Sequence, residues 1–385
     1  MKQFESSWPG AKTVTDRTVV PGTFFYPGPT EVRREVLEAM LQPMLPHRSV
    51  EFETILDELQ SALRTIFRTR RNVFVATSSG TGLMEAAVRC APPGPILALV
   101  NGAFAARFAD IARACGRDVD RADFEWGSVI DLDVVESRLA RRRYAAVTVV
   151  HSETSTGALT PVHGLAEIAH DNGALLLCDS VSGIGGIEFD THGSGADFVF
   201  TASQKALALP PGLAFGVASE AMMRDVRKAK GRGRYFNLAL FDKAASHHQT
   251  TSTPAISLIY AAHRQCSDIV KEGMPARCAR HHEMAALTRE WISSISHRTG
   301  MQFQPVARPG YETPSVSVIR LPHEFEAHSV VRAVRERGFT IGTGYQALST
   351  CTIRIGHMGD HTPRMLQQCL YAIDDSIDSL KSDLR

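Results

Sequence analysis

One lysine of the sequence lies where a neutral amine would be useful for chemistry. Lys205 stands between the apolar run 196–200 and the apolar stretch 206–209, with Gln204 directly before it. Burial disfavours an ammonium ion, so such a lysine should have a depressed pKa. A neutral amine can form an imine with a carbonyl compound. Taken alone, however, a lysine in this setting is more often a surface residue whose amine reaches solvent.

A single acidic residue ends another apolar run. Asp179 directly follows the run 174–178 and precedes a short stretch rich in serine. A carboxylate at the end of a buried strand is costly unless it has a partner, and a protonated heterocyclic nitrogen would be one such partner. A helix cap or a salt bridge is the other interpretation, and for this residue alone it is the favoured one.

Two hydroxyl-rich segments follow two further apolar runs. Ser79, Gly80 and Thr81 begin a helical pattern, where exposed backbone N–H groups favour a bound phosphate, although serine and threonine are also ordinary helix caps. The segment 151–157 reads His-Ser-Glu-Thr-Ser-Thr-Gly and has Thr154 at its centre; a solvated turn is its plain alternative. Ligands of open α/β sheets bind outside the carboxyl ends of the strands. The four segments together therefore predict one site.

The elements that must position these residues follow from the hydrophobic pattern. Short runs that are apolar on both faces alternate with helical patterns, which is typical of a mostly parallel sheet with helices on its faces. The predicted strands of this sheet are 72–76, 95–100, 145–150, 174–178, 196–200 and 213–218, preceded by an amphipathic helix over 50–69. Later patterns predict helices at 256–270, 277–294, 327–337 and from 362, with strands at 315–321 and 352–355. We expect an arm (1–22), a large α/β domain (23–250) and a smaller α+β domain (251–385).

Length and composition exclude several classes of protein. A chain of 385 residues is long enough for two domains. The balance of 42 basic against 41 acidic residues argues against a nucleic-acid partner, which would demand a basic excess. The seven cysteines are scattered without a CxxC pair, so neither a disulfide framework nor a metal site is expected. The sequence shows neither a secretory signal nor an apolar run of membrane-spanning length, and the predicted location is cytoplasmic.

These segments resemble the class V aminotransferases of pyridoxal 5'-phosphate (PLP) fold type I, particularly the alanine–glyoxylate, serine–glyoxylate and serine–pyruvate group. The resemblance runs from Tyr-Pro-Gly-Pro-Thr at 26–30 to Arg-Ile-Gly-His-Met-Gly at 354–359. Segments 77–82, 151–157 and 203–207 carry it most specifically, and Pro-His-Arg-Ser at 46–49 adds to it. The resemblance implies PLP fold type I, an α/β fold with a mostly parallel sheet in the large domain and a smaller C-terminal α+β domain. It also implies PLP as the cofactor.

The resemblance also implies roles for individual residues. Lys205 would hold the cofactor as an imine and move the substrate proton, while Asp179 would keep the ring nitrogen protonated. Arg354 would bind the substrate carboxylate, because a guanidinium suits a planar carboxylate better than an ammonium does. Gly28 would border the substrate. Phe104 would stack on the cofactor ring, or else be an ordinary core phenylalanine. The other implied cofactor contacts are Ser79, Gly80, Thr81, Thr154, Val181 and Gln204.

The resemblance further implies a homodimer in which each subunit completes the other's site. Thr250 and Thr253 would reach the phosphate bound by the neighbour. Two segments depart from the family pattern: 249–251 reads Gln-Thr-Thr where relatives often have Gln-Thr-Pro, and 342–347 reads Gly-Thr-Gly-Tyr-Gln-Ala where a Gly-Gln-Gly pattern is expected. The resemblance places the second segment beside the substrate, so this departure bears on which oxo acid is the acceptor.

The predicted function is transfer of an amino group from a small amino acid of the alanine or serine type to a 2-oxo acid such as glyoxylate or pyruvate. The same lysine and aspartate serve C–S lyases and β-lyases, desulfurases and 2-aminoethylphosphonate transaminases, so the motifs leave these alternatives open. A desulfurase needs a mobile cysteine, and Cys351 is the one cysteine close to a motif. A non-catalytic binding protein is a further alternative, against which the presence of both Lys205 and Asp179 argues.

Overall fold

The computed structural model describes residues 20–228 and 232–383, so the predicted arm at 1–22 lies almost wholly outside the described residues. The strands are β1 (Phe74–Thr77), β2 (Ile96–Val100), β3 (Val119–Asp123), β4 (Ala146–Val150), β5 (Ser152–Glu153), β6 (Ala158–Leu159), β7 (Leu175–Asp179), β8 (Phe198–Ala202), β9 (Leu213–Ala218), β10 (Gln304–Pro305), β11 (Val316–Arg320), β12 (Gly342–Thr343) and β13 (Thr352–Gly356). The helices are α1 (Arg34–Ala39), α2 (Val50–Phe67), α3 (Gly80–Cys90), α4 (Ala103–Ala114), α5 (Leu132–Arg141), α6 (His163–Asp171), α7 (Glu220–Lys228), α8 (Leu238–Ala245), α9 (Ile256–Glu272), α10 (Met274–Thr299), α11 (Ala327–Glu336) and α12 (Pro363–Asp383), with a short 3₁₀ helix at Gln346–Leu348. No helix within the described residues is long and apolar enough to cross a bilayer.

The large sheet has seven strands in the order β1-β9-β8-β7-β4-β2-β3. Strand β9 runs antiparallel to both of its neighbours, and the pairs from β8 to β3 are all parallel. The central strands are buried along their whole length because their side chains are apolar on both faces. This confirms the predicted mostly parallel α/β sheet. Strand β3 was not predicted, because it is a sheet edge and reads Val-Asp-Arg-Ala-Asp, with one buried residue.

Helix α2 shows how the sequence builds the layer beside this sheet. Ser49 caps its N-terminus by accepting a hydrogen bond from the backbone N–H of Phe52. The apolar stripe includes the buried residues Phe52, Leu59 and Leu63, which join the core cluster beside the sheet. Burial of each such side chain stabilises the fold by roughly 1.5–3 kcal/mol. Helix α9 packs against α2 and contributes Ile259 to the same cluster.

A second, smaller sheet has the strand order β10-β11-β13-β12 and is antiparallel throughout. Helices α10, α11 and α12 cover it and share a separate core with its strands. Phe25 belongs to this core, and its carbonyl accepts a hydrogen bond from the N–H of Gly356. The predicted domain boundary at residue 250 stays a prediction. Because α9 packs with the large sheet's core, we propose a boundary near Glu272, with the segment around Phe25 assigned to the smaller unit.

Candidate active site

One cavity brings together most of the residues that the sequence singled out. It lies at the carboxyl ends of β1, β4, β7 and β8, where the four polar segments leave the sheet. Nearly all the predicted cofactor contacts line it, namely Ser79, Gly80, Thr81, Phe104, Thr154, Asp179, Val181, Gln204 and Lys205. The lining residues that the sequence did not single out are Met84, Arg107, Val150, Ser152 and Ser182.

Lys205 is the amine of this cavity. Its side chain is 8% exposed, and its Nζ donates a hydrogen bond to the carbonyl of Pro27. Burial, together with the positive charge of Arg354, lowers the pKa of Lys205 to about 8. Gly28 leaves room for the amine, since a Cβ at that position would stand 2.3 Å from Nζ. The depressed pKa predicted from the sequence is therefore confirmed.

Asp179 is the acid of the cavity. It ends β7 with 3% of its surface exposed, and its Oδ1 accepts a 2.7 Å hydrogen bond from the N–H of Val181. Burial raises the pKa of Asp179 to about 7, against the effect of that hydrogen bond. A buried carboxyl of this kind fits a cationic N–H ligand, because such a partner would offset the cost of its charge.

The beginning of α3 forms a polar cup. Ser79 adopts an extended N-cap conformation (φ −95°, ψ 170°), but its side chain does not cap the helix. Its hydroxyl and that of Thr81 therefore remain available beside the first N–H groups of the helix. A Cβ on Gly80 would stand 2.7 Å from Cγ2 of Val181, so only glycine keeps this backbone open. Such a helix start suits a phosphate.

Two further polar residues, Thr154 and Gln204, line the cavity. The side-chain oxygen of Gln204 is buried and has no hydrogen-bond partner among the described residues. Buried polar atoms without partners are rare, so this atom indicates a site for a polar ligand. Thr154 is 3% exposed, and its hydroxyl shares a 2.5 Å hydrogen bond with that of Ser182.

A buried glutamate that the sequence did not single out organises one wall. Glu153 is fully buried, and its Oε2 accepts hydrogen bonds of 3.1 and 3.0 Å from the N–H groups of Phe104 and Ala105. Its Oε1 accepts from the backbone and hydroxyl of Ser155. The carboxylate thus caps α4 and fixes the position of the Phe104 ring. The only sequence signal was an acid among hydroxyl residues after a buried strand.

Arg354 reaches the cavity from β13 of the smaller sheet. It is 6% exposed, and its Nε donates a 2.8 Å hydrogen bond to the carbonyl of Thr343. Its Nη1 lies 3.5 Å from the carbonyl oxygen of Thr154, which places it beside the cavity wall. Burial lowers the pKa of this guanidinium. No ion pair with a carboxylate is found for Arg354 in residues 20–228 and 232–383, which leaves it available to an anionic ligand.

The two threonines expected to reach a neighbour's phosphate do not line the cavity of their own chain. The hydroxyl of Thr250 donates to the carbonyl of Ser252, and Thr253 is exposed. This placement leaves their role in a second subunit a prediction. Cys351 also lies off the cavity, with its sulfur 3.7 Å from a guanidinium nitrogen of Arg320.

Comparisons with known proteins extend over nearly the whole chain. Residues 23–364 match the family described as aminotransferase class-V. The chain is 33% identical over 340 residues to an uncharacterised aminotransferase of Methanocaldococcus jannaschii, covering 86% of each protein. It is 31% identical over 350 residues to the L-aspartate–glyoxylate aminotransferase of Paracoccus denitrificans, covering 89% of this chain and 87% of that one. The solved alanine–glyoxylate aminotransferase of Nostoc sp. superposes with a TM-score of 0.86 at 27% identity, over 94% of this chain and 97% of that one.

Proposed function

This chain belongs to the class-V aminotransferase family, and we propose that it uses pyridoxal 5'-phosphate to move an amino group from a small amino acid to a 2-oxo acid. Alanine and serine are the simplest donors of this size, and glyoxylate and pyruvate are the corresponding acceptors. Relatives named for aspartate, alanine and glyoxylate support substrates of this size. The observation that carries the proposal is the buried amine of Lys205 in one cavity with the buried acid of Asp179 and the polar cup of α3.

The residues of the cavity fit this cofactor. When bound, the cofactor supplies an aldehyde that joins an amine and a protonated ring that accepts electrons. Lys205 provides the amine, and Asp179 accepts the hydrogen bond of the ring N–H. Ser79, Gly80 and Thr81 would hold the phosphate, and the unpartnered carbonyl oxygen of Gln204 would accept a hydrogen bond from a donor group of the ligand. Thr154 would hydrogen-bond the phenolic oxygen, and Phe104 and Val181 would contact the ring.

Lys205 also suits the proton transfer that transamination demands. A group that takes and returns a proton works best when its pKa lies near the working pH. The buried amine of Lys205 meets this condition, because its pKa is lowered to about 8. Arg354 binds the α-carboxylate of the amino acid through paired charge-assisted hydrogen bonds. Gly28 borders the same space, since any side chain there would collide with the amine. Lys205 and Arg354 therefore bring the α-hydrogen and its acceptor together.

The alternative of a C–S lyase or desulfurase is not favoured. Among the residues that the structure describes, no cysteine lines the cavity. Cys351 contacts Arg320 and the carbonyl of Leu348 instead. The relatives named above are aminotransferases. A non-catalytic protein would not explain why a buried lysine and a buried aspartate share one polar cavity.

A half-reaction tests the proposed activity. When PLP-loaded enzyme is mixed with alanine or serine and no oxo acid, we expect its visible absorbance band to disappear. One equivalent of oxo acid should appear per site, because the amino group stays on the enzyme, and added glyoxylate should restore the band. Repeated turnover with release of ammonia would instead indicate an eliminating enzyme, and an unchanged spectrum with every small amino acid would refute the proposal.

The active form is a homodimer with shared sites. Exposed apolar side chains are concentrated between residues 37 and 50, with Leu41 82%, Met44 63% and Val50 74% exposed. Such a concentration favours a protein–protein contact. Thr250 and Thr253 do not line the cavity of their own chain, which is consistent with contacts to the phosphate bound by the partner subunit.

We expect the double substitution Leu41→Glu and Met44→Glu to separate the subunits, because two buried carboxylates at an interface are costly. Sedimentation should then give a mass near the 42.1 kDa of one chain in place of twice that mass. PLP affinity should fall roughly tenfold, since the partner's threonines are lost. Tyr371→Glu, on the exposed face of α12, is the control and should remain dimeric. A wild-type protein that sediments as a monomer with full activity would contradict the proposal.

A further inference from the structure

An arginine other than Arg354, which lies beside the cavity wall, lines the cavity itself. Arg107 lies one turn into α4 and is half-buried. Its Nη2 donates a 2.7 Å hydrogen bond to the hydroxyl of Tyr345. Its guanidinium carbon lies 4.9 Å from the centroid of the Phe104 ring. The side chain therefore links the large sheet's helix α4 to the segment that precedes β13.

The two arginines both lie close to one pair of stacked rings. Phe104 and Tyr345 have their centroids 5.4 Å apart, with an interplanar angle of 23°. The guanidinium carbon of Arg354 is 5.7 Å from the Tyr345 centroid, and the amine of Lys205 is 6.0 Å from the Phe104 centroid. A small ligand attached at Lys205 would thus lie near both guanidinium groups.

Arg107 has hydrogen-bond donors to spare. The phenol uses one of its five N–H groups, and no carboxylate pairs with it in the described part of the chain. The nearby acids are already committed, because Glu153 caps α4 and Asp179 accepts from Val181. A cationic side chain left in this state at a cavity wall is suited to an anion supplied by a ligand.

The geometry points to Arg107 as the residue that binds a second carboxylate of the substrate. This inference rests on the proposed function, in which Arg354 takes the α-carboxylate. The preferred amino donor then has a short acidic side chain, as in aspartate, rather than the methyl or hydroxymethyl group of alanine or serine. Tyr345 acts as a positioning residue, because its hydroxyl accepts a hydrogen bond from the guanidinium of Arg107 and orients it. Such a site disfavours amino acids without the second carboxylate, because the free N–H groups of Arg107 would stay unpaired at the cavity wall.

The test compares L-aspartate with L-alanine in the half-reaction of the PLP-loaded enzyme. We expect the wild type to react at least tenfold more efficiently with aspartate. Arg107→Gln should lower the second-order rate constant for aspartate about 10- to 100-fold. The second-order rate constant for alanine should fall far less. Arg354→Lys should slow both donors, since both present an α-carboxylate. Arg113→Gln removes a surface arginine of the same helix and should change neither.

A binding measurement without turnover provides the second readout. Succinate cannot react but has two carboxylates, and it should perturb the visible spectrum of the PLP-loaded enzyme. Arg107→Gln should raise its dissociation constant about 10- to 100-fold. Tyr345→Phe, which keeps the stacked ring and removes the hydroxyl, should raise it by a smaller factor.

The outcomes separate this inference from the proposed function. If neither donor converts the PLP-loaded enzyme, the proposed function fails. If alanine reacts but aspartate reacts no faster, or if Arg107→Gln slows both donors equally, only the assignment of Arg107 fails. A loss of PLP affinity in Arg107→Gln would show that this arginine holds the cofactor's phosphate, and would likewise overturn the assignment.

Discussion

Replacing Lys205 by alanine is expected to reduce transamination by roughly 10²- to 10⁴-fold or more. The variant lacks both the amine that joins the cofactor and the group that carries the proton, and proton transfer alone contributes a factor of this size. After borohydride treatment of wild-type protein loaded with PLP, mass spectrometry should find the added mass on the peptide that contains residue 205. The alanine variant should show no such peptide.

The environment of Lys205 allows a sharper version of this experiment. The side chain is buried at the cavity wall, so the alanine variant leaves an open space between Pro27 and the cofactor position. A small primary amine such as methylamine should occupy it and restore part of the activity. Lys243→Ala, which removes an exposed lysine of α8, is the control and should behave as wild type. Full activity of the Lys205 variant without added amine would contradict the assignment.

The sequence predicted the large sheet and much of the site because both depend on local pattern. Strands such as β4 and β7 are apolar on both faces, so composition alone marks them as buried. The residues that follow them must then meet at one edge, which is how Asp179 and Lys205 could be placed together. Strand β3 was missed because an edge strand with charged side chains carries no such signal.

The missed parts of the site depend on contacts between distant segments. The hydrogen bond from Arg107 to Tyr345 joins residues that are 238 positions apart, and neither side chain is unusual in its own segment. Glu153 accepts hydrogen bonds from the N–H groups of a helix that lies about fifty residues earlier in the chain. Pairings of this kind are determined by how distant segments pack together, which hydrophobic periodicity does not describe.

Replacing Asp179 by asparagine is expected to change stability and activity in opposite directions. Burial raises the folded-state pKa of Asp179 to about 7 from an ordinary value of 3.8. The folded protein therefore binds this proton more tightly than the unfolded chain does. Without cofactor, stability is lost as the pH rises from about 4 through 7, by an amount on the order of 4 kcal/mol.

Asparagine cannot ionise, so the cofactor-free variant should escape this loss. Its melting temperature should exceed that of the wild type at pH 8 and approach it near pH 4, as measured by differential scanning calorimetry. The amide oxygen can still accept the hydrogen bond from Val181, which preserves the local backbone. The exposed substitution Asp375→Asn is the control, and its melting temperature should follow that of the wild type at both pH values.

The same substitution should lower kcat by about 10²- to 10³-fold, the scale of a lost electrostatic contact to developing charge. A buried carboxylate is costly, and it becomes favourable only when a ring N–H offsets its charge. Asp179 therefore destabilises the cofactor-free protein and contributes to the reaction once the cofactor is bound. PLP binding should accordingly stabilise the wild type more than the variant at pH 8. If the variant were less stable than the wild type at pH 8 and equally active, Asp179 would be a structural acid and the proposed pairing would be wrong.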